Sequence, residues 1–424
     1  MTASAEPIGA SFWRRLRDPA AWMTTTDIVA VLLAASLPWS TSLVGIFGVV
    51  LVLVMLPTID APTFIASLKR PACMAPIALF LLALAGTLWS DANWNLRFHS
   101  VAPTAKLLLV PLLFYHFERS RRGLWVFTAF LASCAVMVVA SWIVAYFPQL
   151  TLKEAGAASR GVFVKNYIDQ SQEFALCAVA LAFPIATMLR AKRFALALLL
   201  GALSLAFLAN MAFVIVSRTA LVTIPIMLAA FAVLHLRLKT TLLVLCACII
   251  AGVVVWFASP QLESTVATFR QQYQEYMATG AVTSIGQRLE FYRKSLRFFA
   301  DAPVIGHGTG SIEGLFVQAA IGQTGAAADV VRNPHNQTLN VAVQWGTLGV
   351  VILYAMWISH LMLFRGDTLA HWIGLLVVVQ NIFTSLFNSH IFDFHEGWMY
   401  VIGVGVAGGM VKVCRSPAAP ISNS

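Results

Sequence analysis

Apolar runs long enough to cross a bilayer recur along this chain from Asp27 to Val413, and that recurrence limits the fold more than any motif does. A hydrocarbon core of ~30 Å takes roughly 17–25 helical residues. The runs fall at about 27–39, 41–57, 72–89, 104–117, 123–147, 172–190, 194–216, 219–236, 240–258, 338–364, 369–387 and 397–413. With 59% hydrophobic and only 11% charged residues, where a soluble domain has about 25% charged, the soluble classes are excluded. The expected fold is an all-α polytopic membrane protein of about twelve transmembrane helices. Residues 1–424 read as a single integral membrane domain, with 259–337 as a loop subdomain within it.

Lys and Arg mark the cytoplasmic loops of such proteins. With the N-terminus inside, the inside positions hold Arg14, Arg15 and Arg17, then Lys69 and Arg70, then Arg119, Arg121 and Arg122. They continue with Arg190, Lys192 and Arg193, then Arg237, Lys239, Arg365, Lys412 and Arg415. Removing the 104–117 span, which contains Lys106, would put the 190–193 cluster outside, so the charge pattern itself retains that span. Both termini are then cytoplasmic. The net charge of +10 is largely topology signal facing anionic lipid, and nucleic-acid binding has no support. The first apolar segment, without a small-residue cleavage site, reads as an uncleaved anchor. The six cysteines (Cys73, Cys134, Cys177, Cys246, Cys248, Cys414) lie in spans or at the cytoplasmic end, none placed for an outside disulfide.

Two outside loops are long, roughly 148–171 and 259–337. In the second, Leu262, Val266, Phe269, Tyr273 and Tyr276 recur at helical spacing, as do Ile285, Leu289, Tyr292, Leu296 and Phe299. Two amphipathic helices follow, their apolar stripes expected on the membrane face or on the ends of the spans, with Arg293, Lys294 and Arg297 toward lipid phosphates. The stretch GHGTGS, Gly306 to Ser311, is a set of turns or an anion cradle. Arg218 sits midway in an apolar run from Phe194 to His235, too long for one span at ~1.5 Å per residue. It is either a snorkelling anchor or a fixed positive charge facing a cavity.

The stretch NPHNQTLNVAVQWGTLGV, Asn333 to Val350, opens the tenth span with polar groups where a chain should shed them. Asn333 suits an N-cap and Pro334 a first helical residue, which puts His335 in the first turn. There the helix dipole, with Arg332 beside it, favours a neutral imidazole able to accept a proton. Asn336, Asn340 and Gln344 form a stripe down one face that belongs toward the protein or a wet cavity, and Ala342, Gly346 and Gly349 allow close helix contact. The tract HIFDFHEG, with His390, Asp393, His395 and Glu396, offers zinc-type ligands but no metal-site spacing. It reads as an interfacial polar turn, or as Asp393 orienting a catalytic group.

His335-Asn336 and Gly346-Thr347, preceded by a long outer loop with SIGQRLEFYRKSLRFFADAPVIGHGTG (Ser284 to Gly310) and by Ser217-Arg218-Thr219, resemble the O-antigen ligase family. That family is related to O-antigen polymerases and protein O-oligosaccharyltransferases. The resemblance implies a GT-C type membrane glycosyltransferase of the Gram-negative inner membrane that works without cofactor or metal. It implies transfer of polysaccharide from undecaprenyl diphosphate to a sugar hydroxyl of the lipid A core, at the periplasmic face, in lipopolysaccharide biosynthesis. The family's essential histidine falls on His335, and its two arginines on Arg218 and Arg288. Arg160, Lys165 and Arg332 are further candidates for phosphates on carrier or acceptor. A polymerase and a protein O-oligosaccharyltransferase are the nearest alternatives. A lipid or solute transporter is more distant, because the ionisable groups gather at one face instead of the midplane.

Overall fold

The computed structural model describes residues 18–152, 161–215 and 217–413. Arg14, Arg15, Arg17, Arg160, Cys414 and Arg415 lie outside the described residues, as does the side chain of Arg218. The described chain is helical, with no strand. In order, the helices are α1 (Pro19–Ser36), α2 (Thr41–Met55), α3 (Ala61–Leu68), α4 (Pro71–Ala85), α5 (Trp94–Ala105), α6 (Leu109–Phe117), α7 (Gly123–Tyr146), α8 (Tyr167–Ala180) and α9 (Ala182–Arg190). They continue with α10 (Phe194–Phe213), α11 (Arg218–His235), α12 (Leu238–Ala258), α13 (Pro260–Thr279), α14 (Ser284–Asp301), α15 (Ile312–Ala320), α16 (Gln337–Leu363), α17 (Leu369–Thr384) and α18 (Phe394–Val413).

Every apolar segment of the sequence overlaps a helix. Among the described residues, eight helical stretches are long and apolar enough to cross a membrane, or nine if α3 and α4, bent by 83°, form one broken span. Many outward residues are apolar, for example Phe257 at 84% exposure and Leu198 at 75%, as lipid contact requires. The 104–117 segment with its Lys106 belongs to a continuous helical stretch from Trp94 to Phe117. Its lysine is satisfied internally by the carbonyls of Phe392 and Asp393.

Two helices fix the polar end of the bundle. α4 and α16 run antiparallel. Near one end His360 on α16 meets the Ala72 carbonyl at 2.9 Å. At the other, Thr309 binds the Gly86 carbonyl through its N–H and the Trp345 indole through its hydroxyl, both within 2.9 Å. Around that second end lie α14, α15 and the Gly-rich turn. Phe291 and Phe298 of α14, Ile312 and Phe316 of α15, and Val343 of α16 make a small separate core there.

This core corrects the expected face of α14. The buried positions are Ile285, Gly286, Glu290, Phe291, Lys294, Ser295 and Phe298, which share Ile285 with the stripe read in the sequence and otherwise lie one step from it, while Leu289 and Leu296 are exposed at 40% and 57%. Two adjacent apolar stripes compete on this helix, and the one carrying two phenylalanines wins the protein contact because it buries more area. Lys294 therefore points inward, to the Ala327 carbonyl and over the Phe316 ring, instead of toward lipid. Arg293 is held by Glu290 at 2.7 Å. On α13, Val266 and Tyr273 stay exposed, as a helix resting on a membrane surface would have them.

Gly346 does not provide helix contact. Its φ of 60° and ψ of −156° break α16, a conformation open essentially to glycine alone. The opened backbone is filled by the loop before α15: the N–H groups of Thr347 and Leu348 bind the Pro303 and Val304 carbonyls at 2.8 and 3.2 Å, and those of His307 and Gly308 bind the Val343 and Gln344 carbonyls at 2.9 and 2.8 Å. A Cβ on Gly346 would stand 2.4 Å from Val304 backbone atoms. Gly346→Ala is expected to cost about 1–3 kcal/mol of stability, seen as a lower unfolding midpoint in detergent. An unchanged midpoint would contradict this account of the break.

Candidate functional site

The helix start at α16 differs from the sequence expectation by three residues. Asn336, not Asn333, is the N-cap, its side chain accepting from the Leu339 N–H at 3.0 Å. Asn333 caps a tight turn over Pro334 instead, accepting the His335 N–H at 2.9 Å. His335 thus stands just before the helix in a left-handed conformation, φ 55°, which is uncommon outside glycine and enriched for histidine among the exceptions. Tyr292 of α14 donates its hydroxyl to the carbonyls of Leu386 at 2.6 Å and His335 at 3.1 Å. The imidazole lies over the Phe291 ring, 6.0 Å between centroids and 26° from parallel.

The tautomer follows from a chain of donors and acceptors. Asp393 can only accept while ionised, so Asn388 turns its NH₂ to the carboxylate, at 2.6 Å. The Asn388 amide oxygen is thereby left facing His335 Nδ1 at 2.8 Å, with the Asn333 amide also donating to it at 3.1 Å. Nδ1 must carry the proton, and Nε2 is the unprotonated nitrogen. No described residue caps Nε2 with a hydrogen bond. Burial lowers the pKa of His335 below its ordinary value, and the positive charges of Arg288 and His390 push the same way. The Asn388 bond and the Asp393 charge oppose them without reversing the direction. The shift runs in the direction expected from the sequence, but desolvation leads, and the neighbouring cations are not the expected ones. Arg332 is engaged elsewhere, pairing with Glu313 at 2.8 Å.

Beneath this array lies a layer of compensated charge. Burial alone would lower the pKa of His390, but the Glu396 and Asp393 carboxylates override it and hold it up to about 9. The His390 Nδ1 lies 3.2 Å from Asp393 and 3.6 Å from Glu396. These three side chains bring ligand atoms within 4.8 Å of one another, the geometry a small cation would need. The Lys106 ammonium bound to the Asp393 carbonyl also acts electrostatically on both carboxylates, so the cluster already contains the positive charge it requires. Further along, His395 pairs with Asp169, and Lys165 stands 3.7 Å from Glu173.

The sequence-derived candidates separate accordingly. Arg288 and His335 share one electrostatic neighbourhood, and among the described residues Arg288 has no hydrogen-bond or ion-pair partner. Arg218 is the first residue of α11, after Ser217; the position of its side chain lies outside the description, as does Arg160. Lys165 and Arg332 both have carboxylate partners. The Gly-rich turn is no anion cradle: the N–H groups of Gly306, His307, Gly308 and Thr309 all bind backbone carbonyls, and that of Gly310 binds Gln344 Oε1 at 2.8 Å. Of the polar stripe, Asn340 and Gln344 line a cavity of about 200 Å³, while Asn336 is consumed as the cap.

Asn388 is the residue sequence reasoning missed. It lies 53 positions from His335, two before the polar tract that drew attention, and its role depends on a contact between helix ends. The array predicts two opposite shifts. Arg288→Gln should raise the pKa of His335 by removing a repelling charge, and Asn388→Ala should lower it by removing a bond that favours imidazolium. Histidine-selective NMR titration reads both, and shifts of the reverse sign would contradict the assignment.

A family model described as O-Antigen ligase matches residues 203–354, from within α10 through the break in α16. Arg218, Arg288 and His335 fall inside that match, and Asn388 and Asp393 outside it. No curated protein matches the chain.

Proposed function

We propose that this chain, a member of the O-antigen ligase family through residues 203–354, transfers a polysaccharide from undecaprenyl diphosphate to a sugar hydroxyl of the lipid A core. The reaction takes place at the periplasmic face of the inner membrane, in a chain of about twelve spans with both termini cytoplasmic. The observation that carries this reading is an imidazole whose Nδ1 is fixed by Asn388 and whose Nε2 is uncapped among the described residues, its pKa held down by burial and by the Arg288 guanidinium, which has no carboxylate partner among the described residues.

Glycosyl transfer needs a base for the incoming hydroxyl and a stabiliser for the departing phosphate. The acceptor hydroxyl gives its proton to His335 Nε2 as its oxygen forms the new bond to the anomeric carbon of the donor. The bond from that carbon to the diphosphate oxygen breaks, and the electron pair leaves with the diphosphate. Arg288 and Arg218 bind the oxygens on which the charge grows, as the planar guanidinium fork allows. Asn388 and Asp393 stabilise the imidazolium so formed. Two cationic forks supply the charge that a divalent ion supplies elsewhere, so the reaction is metal-independent. Arg160, Lys165 and Arg332 enter as outer contacts to phosphates of carrier or acceptor, Lys165 and Arg332 after exchange of their carboxylates.

His335→Ala is expected to reduce transfer by roughly 10²–10⁴-fold with insertion intact. Arg288→Lys and Arg218→Lys, which keep the charge and lose the fork, should each cost on the order of 10²-fold. Purified protein, carrier-linked glycan and lipid A core in detergent make the assay. Normal capping of the core by the histidine variant contradicts the base assignment. Polymer growing on a second carrier identifies a polymerase, and glycan on a protein acceptor an oligosaccharyltransferase. Loss of activity with EDTA and recovery with zinc would return attention to His390, Asp393 and Glu396.

A further inference from the structure

The cavity of about 200 Å³ lies between α5, the start of α15, and α16, and the transfer chemistry gives it no occupant. Its polar wall includes Ser100, Glu313, Asn333, Asn340, Gln344 and Asp393, with apolar surface from Leu96 and Phe392 among the rest. Amides and carboxylates beside apolar carbon match a ligand with hydroxyls at its edge and C–H groups on its face.

Charge narrows the class. Arg332, itself part of the lining, is paired with Glu313, and Asp393 is paired with His390, so a phosphate would have to displace a carboxylate to reach a cation, whereas an uncharged ring would not. Size narrows it further, because the volume is below the ~300–1,000 Å³ typical of pockets for drug-sized ligands and accommodates one ring. One wall connects to the imidazole through Asn388: Asn333 accepts from the His335 backbone N–H and donates to the Asn388 amide oxygen that also faces Nδ1. Asn340 keeps a donor for a ligand, since its NH₂ makes only a 3.5 Å contact to Asn333 while its oxygen is taken by Gln344 at 2.6 Å. The first sugar of the donor is bonded directly to the diphosphate and would bring that charge to the rim beside Asp393. An acceptor ring brings none.

We propose that this cavity is the acceptor subsite, holding one uncharged, unphosphorylated sugar ring of the acceptor glycan beside His335. The inference rests on the transfer reading, and its test separates the two. Ser100→Phe fills the cavity from α5, and Asn340→Leu removes its free donor at similar volume. In either variant the acceptor KM should rise at least tenfold, with the donor KM unchanged. Saturation-transfer NMR on the purified full chain should show methyl glycosides binding to the wild type and losing that signal in the variants, with glycoside 6-phosphates silent throughout. An unchanged acceptor KM, a raised donor KM, a silent wild type or equal binding of the phosphorylated sugar would each overturn the subsite. Glycoside binding without any transfer would instead overturn the reaction and leave the subsite standing.

Discussion

The side-chain amide of Asn388 joins the two halves of the site. An amide can present a donor on one side and an acceptor on the other, and here a carboxylate fixes which side is which. Asp393 takes the NH₂, so the carbonyl must face His335, and the imidazole proton must sit on Nδ1. One residue on the loop between α17 and α18 thereby sets the protonation pattern of another at the start of α16. An aspartate in direct contact would stabilise the imidazolium more strongly. The interposed amide stabilises it less, which suits a group that must stay neutral until it takes a proton.

Holding His335 there requires backbone that membrane proteins tolerate only where protein surrounds it. Its left-handed conformation is held by the Asn333 turn and by Tyr292, and the break at Gly346 is filled by the Gly-rich loop. The two irregularities serve one purpose. The loop that repairs the break also carries Thr309 and Gly310, which tie Gln344 and Trp345 to α4. The first turns of α16 are thus clamped between α4 on one side and α14 on the other. A base that must meet a lipid-borne substrate in one geometry gains from such rigid support.

The helical frame was legible in the sequence because run length and charge placement are properties of the chain itself. So was the polar start of α16 around His335, since polar side chains at the head of an apolar helix have few structural explanations. The cap position was not: Asn333 and Asn336 are both good caps, and only the Asx turn over Pro334 decides between them. The inward face of α14 was missed by one step, because Leu289 and Leu296 are as apolar as the residues that win. Gly306 to Gly310 could not be read as a plug, since the acceptors of its His307 and Gly308 N–H groups are carbonyls freed by the break at Gly346, far along the chain. The link from Asn388 to His335 depends on two helix ends meeting, and periodicity along one chain does not report that.

The tautomer of His335 can be observed directly. In the purified protein labelled with ¹⁵N-histidine at pH 7, His335 should show a protonated, pyrrole-type Nδ1 and a pyridine-type Nε2, with the pattern lost on Asn388→Ala. A resonance with the proton on Nε2, or an imidazolium at that pH, would contradict the account, because the nitrogen assigned to the acceptor hydroxyl would then have no free electron pair.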